Sequence, residues 1–176
     1  MEQLGCTAIE TATFLSLKGP LKVFGEFATG ALEGVLLTRG FDMLTLRKVS
    51  TAFAAAMQSV CLTCFGLTKT PLLAACFNIG AECCYGFHHS GFSANLLEVG
   101  GDDAAILTAV SNTLGNAPGI IVPPLGVALH KATGSWLPLF LSGSAINLVG
   151  GLAFARWASL KSGRELLSER DQSAGA

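Results

Sequence analysis

Charge is what this chain has least of. Asp, Glu, Lys and Arg make up 13% of its 176 residues, against the roughly 25% of an average soluble domain, and the formal net charge is −1. With so little charge and no bias of sign, the chain lacks the basic footprint that nucleic-acid binding needs, and no such partner is expected. Tyr occurs once and Trp twice, while Phe occurs eleven times. Phenyl rings without polar handles suit a lipid-facing surface better than a binding platform for bases. A framework for disulfides or a metal is also missing. Of the six cysteines, Cys61, Cys64, Cys76, Cys83 and Cys84 fall inside apolar runs, whereas disulfide scaffolds are small and loop-rich. Cys61 and Cys64 have CxxC spacing, yet no second CxxC or histidine pair stands beside them at ligand spacing. They are expected to pack as small apolar residues, with no metal, no cofactor and no enzymatic thiol chemistry.

What is abundant is uncharged length. Half the residues (51%) are hydrophobic. Residues 49–68, 104–129 and 135–155 carry no charged side chain, and 71–97 carry only Glu82. Each run is long enough for a helix to cross hydrocarbon about 30 Å thick. The pattern predicts an all-α, multi-pass membrane bundle with helices over 49–68, 71–97, 104–130 and 135–157. A fifth, less regular helix is expected over 19–38. It contains Lys22, Glu26 and Glu33, and because a central charge costs about 2.5–3.5 kcal/mol in lipid, that helix must face protein or water. Residues 1–18 read as a poorly defined segment without the basic start of a signal peptide, 19–157 as the transmembrane bundle, and 158–176 as a polar tail. Arg39, Arg47 and Lys48 share a side with Arg156, Lys161, Arg164 and Arg170, while Lys69 and Lys131 lie on the other. The positive-inside rule places the first group, and the C-terminus, in the cytosol. Five spans then leave the N-terminus outside, as expected for a piece of something longer.

The stretch SNTLGNAPGIIVPPLG, residues 111–126, holds three glycines and three prolines inside a charge-free span. In water such a string reads as loop. In a membrane, small residues let helices approach, and prolines are tolerated where neighbours satisfy the freed carbonyls. Ser111, Gly115 and Gly119 recur every four residues and line one face, which predicts close packing against a partner helix. Pro118, Pro123 and Pro124 predict bending.

The run from Ser90 to Val99, with Ala105, Ile106, Leu107, Ser111, Asn112, Gly115, Gly119 and Pro123, resembles a signature of the major facilitator superfamily, in particular its anion:cation symporter branch. Gly30, Glu33, Arg39, Arg47 and Lys48 are similar to that family's cytosolic loop motif. Gly34 departs from the family pattern, as do Ser93, Leu96, Gly101 and Asn116. The resemblance covers about residues 25–157 and implies the C-terminal half of a major facilitator fold, roughly helices 8–12. It also implies a partial secondary transporter for an organic or inorganic anion such as phosphate, glutamate or sialic acid, coupled to Na⁺ or H⁺. An N-terminal half in cis or in trans, or self-association, would complete it. The alternative is a non-transporting membrane subunit with a structural role.

Polar residues within the spans are the candidate pathway. Glu82 lies near mid-depth, where it is expected either to accept a coupling proton or to serve as a structural acid bonded to Asn78 or a neighbouring helix. Asn95, Ser111, Asn112 and Asn116 are candidates for interhelical hydrogen bonds or solute contacts. His88 and His89 point about 100° apart on a helix, so at most one faces a central path. Glu26 and Glu33 are expected to pair with Arg39, Arg47 or Lys48.

Overall fold

The computed structural model describes residues 7–161 and Glu165. Those residues are almost wholly helical: α1 (Ala8–Thr38), α2 (Met43–Leu67), α3 (Pro71–His88), α4 (Ala94–Gly100), α5 (Ala104–Asn116), α6 (Pro118–Thr133) and α7 (Leu137–Trp157). A π-helical turn, His89–Ser93, joins α3 to α4, and a 3₁₀ turn, Gly101–Asp103, joins α4 to α5. Among the described residues three stretches are long and apolar enough to cross a membrane: Met43–Leu67, Pro71–Thr133 and Leu137–Trp157. The second holds two crossings, because Gly101 at φ 48 breaks the helical path with a backbone conformation that a side chain disfavours.

The first helix departs from expectation. Instead of a less regular helix over 19–38, α1 is continuous for 31 residues, about 46 Å, and begins eleven residues earlier. Its start is set by a capping box. The Glu10 amide donates to the Thr7 hydroxyl at 3.2 Å, and the Thr7 amide donates to the Glu10 carboxylate at 2.9 Å. The second helix is capped by Asp42, which accepts the Thr45 amide at 2.9 Å and the Thr45 hydroxyl at 3.0 Å. Those bonds hold the Asp42 carboxyl below its ordinary value. The expected loop over 98–103 is also shorter, since helix continues to Gly100.

Side-by-side packing places α2 between α3 and α7, with α1 against α3. Along the α2–α7 seam the small residues alternate with reciprocal hydrogen bonds. Ser59 donates to the Ser144 carbonyl at 2.9 Å, Ser144 returns a bond to the Ser59 carbonyl at 3.1 Å, and Thr63 reaches the Ser144 hydroxyl at 3.0 Å. Asn147 donates to the Ala55 carbonyl at 3.1 Å, one turn along. Any Cβ added at Gly151 would collide with that of Ala55. The pairing of Gly151 with Ala55 and of Phe140 with Gly66 makes α7 antiparallel to α2. Contacts of Lys18 with Glu82 and of Glu26 with His89 make α1 and α3 parallel.

Following the chain, α1 and α3–α4 arrive at the end where α2 begins and α7 finishes. From there α5 leaves beside α4, and α6 ends where Gly126 meets Leu139 and Trp136 at the start of α7. The described residues therefore pass along the bundle five times, with Arg39, Arg47, Lys48 and Arg156 at one end and Lys69 and Lys131 at the other. The α5–α6 crossing is anchored only near its ends. No residue of α5 is buried and α6 buries only Gly126.

Candidate functional site

Polar side chains that a lone membrane helix cannot carry meet along the α1–α3 interface and at its end. Gly25 and Gly86 allow the two backbones to touch, since a Cβ at either would overlap the other helix. Beside this crossing, α1 presents Lys18, Lys22 and Glu26 at four-residue spacing, so they stack along one stripe. On the facing helix Glu82, Tyr85 and His89 form the complementary stripe. Lys18 Nζ lies 2.8 Å from Glu82 Oε1. Lys22 Nζ stands 4.5 Å from the centre of the Tyr85 ring and 3.9 Å from Glu26 Oε1. The same Glu26 oxygen is 3.5 Å from His89 Nε2, and the other ring nitrogen of His89 is 3.2 Å from the Ser93 hydroxyl.

The stripe ends in an ionic clamp in which Arg47 and Glu33 are buried and Glu98 is exposed. Arg47, near the start of α2, donates to Glu33 of α1 at 2.8 Å, to Glu98 of α4 at 2.7 Å and to the Ser90 carbonyl of the π turn at 2.5 Å. Ser50 donates to the remaining oxygen of Glu33 at 2.7 Å. A guanidinium has five N–H donors in a planar fork, and here they tie three segments together. Gly91 makes the approach possible. A side chain there would strike Thr51 and the Arg47 backbone.

Several expectations turn out differently in the structure. Glu33 does pair with Arg47, one of the partners offered for it. Glu26 instead turns to Lys22 and His89, because at its depth the loop arginines are more than a helical turn away. Glu82 meets Lys18 of the neighbouring helix α1, the second of the structural partners offered for it, rather than Asn78. Lys18 lies in the segment expected to be undefined, so its helix, and hence this partner, could not enter a reading that began the span at residue 19. Among the described residues no salt bridge reaches Arg39 or Lys48, and Gly30 is exposed with open space about it.

His88 and His89 separate as their spacing requires. His88 stacks against Tyr85 and Phe92 at ring distances of 5.2 Å and lines a 290 Å³ cavity with Thr51, Ala55 and Asn147, whereas His89 faces α1. Asn95 is buried and donates to the Ser159 carbonyl beyond α7 at 2.8 Å. Asn112 and Asn116 are exposed, the Asn116 amide bonding back to the Asn112 carbonyl at 2.8 Å. Ser111 is half-buried. A Cβ added at Gly115 or Gly119 would meet nothing within 4 Å, so at these two positions the face expected to pack closely is uncovered in this chain. Pro118 falls at the break between α5 and α6, and Pro123 lies inside α6. The residues that sequence reasoning missed are Lys18, Ser50, Tyr85 and Glu98. The capping-box spacing Thr7-x-x-Glu10 was the available signal for the longer α1 that supplies Lys18. Cys61 is buried at the α2–α3 contact, and no group of three metal-ligating side chains occurs among the described residues.

No protein-family profile matches the chain. Among curated proteins it is 31% identical over 129 residues to the voltage-gated purine nucleotide uniporter SLC17A9 of Homo sapiens, covering 72% of this chain and 29% of that protein. It is 32% identical over 117 residues to vesicular glutamate transporter 3 of Danio rerio, covering 65% and 20%. With sialin of Homo sapiens it shares 29% over 121 residues, covering 67% and 24%. The chain thus spans less than a third of the length of these relatives. They are membrane transporters, and the helices described above make this a multi-pass membrane protein built like the C-terminal part of such a carrier. The chain belongs to the SLC17 anion transporters of the major facilitator superfamily.

Proposed function

We propose that the chain supplies one wall of a secondary active transporter for an organic or inorganic anion, working by alternating access once an N-terminal half is supplied in cis or in trans. The observation that carries this reading is the clamp of Arg47 on Glu33, Glu98 and the Ser90 carbonyl. Alternating access requires the helices at one membrane face to be held in one state and released in another. An ionic clamp joining α1, α2 and α4 at a single end is a device of that kind, and the Arg and Lys content of that end favours its placement in the cytosol, along with the C-terminus. The uncovered face of Ser111, Gly115 and Gly119 is the surface for the missing half, with self-association as the competing arrangement. Asn112 and Asn116 on the same crossing, and Glu82 with its Lys18 counter-ion, border the solute path; Asn95 holds the clamp end together. Lipid is the solvent of the remaining surface, and no enzymatic step is assigned.

The printed names of the relatives choose the first solutes to try: purine nucleotide and glutamate, followed by phosphate and sialic acid. The chain is reconstituted in liposomes with and without the N-terminal half of a relative, and uptake is followed under Na⁺, proton and voltage gradients. Saturable, gradient-driven uptake only in the presence of the N-terminal half, lost in Arg47→Gln while both parts still assemble, is the expected result. Uptake by the chain alone points to a self-contained homodimer. Assembly without uptake of any of these anions points to a non-transporting membrane subunit.

A further inference from the structure

The stripe between α1 and α3 is electrically uneven, and the unevenness has an address. Lys18 and Glu82 cancel at 2.8 Å. The next acid, Glu26, has no contact that short. It sits between Lys22 at 3.9 Å and His89 at 3.5 Å, both to the same oxygen. With His89 neutral, the two lysines and two carboxylates sum to zero. With His89 protonated, the stripe carries one positive charge and Glu26 gains a second cation. We propose that His89 and Glu26 form a proton-binding site, and that its occupancy is relayed through the π turn to the Arg47 clamp.

Three features support the site. A histidine is the side chain whose charge changes near neutral pH without large perturbation, and this one is half-exposed rather than sealed in apolar packing. Its second nitrogen faces the Ser93 hydroxyl at 3.2 Å, a group that can donate to a neutral ring and accept from a protonated one. Both charge states of His89 are therefore satisfied by the same neighbours. The neighbouring His88 has a different environment, stacked between Tyr85 and Phe92. The titratable and charged groups facing His89 are Glu26 and Lys22 of α1, Tyr85 and His88 of its own helix, and, one rung away, Glu82 with Lys18. From α2, Arg47 reaches the next residue.

The relay follows from adjacency. His89 and Ser90 are the first two residues of the π turn, a helical irregularity that recurs at functional sites. The Ser90 carbonyl is held by Arg47, and Gly91 is seated on Thr51 and the Arg47 backbone without room for a side chain. A pull of His89 toward Glu26 moves the same turn that Arg47 grips. Protonation on the α1 side and the strength of the clamp on the α2 side are thus linked through two consecutive residues.

This inference rests on the transporter reading for its purpose, and the test separates the two. The full chain, carrying isotope-labelled histidine, is placed in lipid nanodiscs and followed by nitrogen NMR from about pH 8 to about pH 5. The His89 signal is identified by its loss in His89→Gln. Conversion of that ring from neutral to cationic over the range, with the cationic fraction reduced in Glu26→Gln, is the expected result. A ring that stays neutral throughout, or a conversion unaltered in Glu26→Gln, overturns the site. In the assembly with the N-terminal half, His89→Gln is expected to abolish the response of uptake to a proton gradient while uptake driven by voltage persists. An unchanged response overturns the relay. If the assembly never transports but His89 converts as described, the transporter reading fails and the proton site stands.

Discussion

The α2–α7 seam and the α5–α6 crossing are written in the same residues and have opposite fates. Each has serine, asparagine and glycine at three- or four-residue spacing inside an uncharged run. On the seam, Ala55, Ser59 and Thr63 meet Ser144, Asn147 and Gly151, and the polar groups named above bond across to the opposite helix. On the crossing, Ser111 is only half-buried, and a Cβ added at Gly115 or Gly119 would meet nothing. A small-residue stripe is therefore a capacity for close approach, and only a second stripe of matching register converts it into packing. Lipid chains are as apolar as leucine, so no hydrophobic force between helices substitutes for that match.

The sharpest way to break the comparison is to fill each stripe in turn. Gly151→Leu is expected to lose about 3 kcal/mol, because the new side chain must push α7 off Ala55. Reversible unfolding in mixed micelles measures it, and an unchanged unfolding curve would mean that α7 is held elsewhere. Next in size is the reciprocal serine pair. A double-mutant cycle of Ser59→Ala and Ser144→Ala is expected to show a coupling of about 0.6 to 1.7 kcal/mol, the range found for hydrogen bonds between membrane helices. Zero coupling would reduce the pair to packing alone.

A smaller effect is expected at the entry to α2. Asp42 has a lowered native proton affinity because it accepts the Thr45 amide and hydroxyl. Its contribution is therefore complete above the ordinary carboxylate range of about pH 4 and is lost as pH falls through the lowered native value. Asp42→Ala should remove that acid-side dependence from the melting of α2, followed by amide exchange; a dependence that survives assigns it to another carboxylate. The smallest effect belongs to Gly115→Leu, expected to change the stability of the chain alone by less than about 0.5 kcal/mol. With an N-terminal half present, the same substitution should weaken assembly. If it does not, the uncovered stripe faces lipid in the complete protein.

How far the sequence could be read follows from where the charges are answered. The spans at 49–68 and 135–157 match α2 and α7 to within a turn or two, since each is continuous in hydropathy and needs no partner to be recognised. The first helix was obscured by Lys18, Lys22, Glu26 and Glu33. Each of these makes the segment look unfit for a membrane until its opposite number on α2, α3 or the π turn is known, and those lie 14 to 64 residues further along the chain, which leaves the capping box as the only local signal. The Glu33–Arg47 contact was legible because loop and helix end are close along the chain. Glu98 as the third member was not, since nothing in its own surroundings calls for an arginine from α2. The stripe at 111–119 is legible as a face of small residues, but its partner is not: spacing shows a face, and within this chain no helix covers Gly115 or Gly119.

The π turn has a further consequence, for the tolerance of the gene to changes in length. Such a turn holds one residue more than the α-helix on either side of it. Loss of a single codon within 89–93 would let the helix close into regular α while the residues before and after it keep their phase, leaving Glu82 toward Lys18 and Asn95 toward Ser159. The same loss between Pro71 and His88 would rotate everything downstream by about 100° and carry Asn95 and Glu98 away from their partners together. Within this crossing, single-residue deletions should accordingly disturb the packing of the flanking segments less at the π turn than in the helix that precedes it.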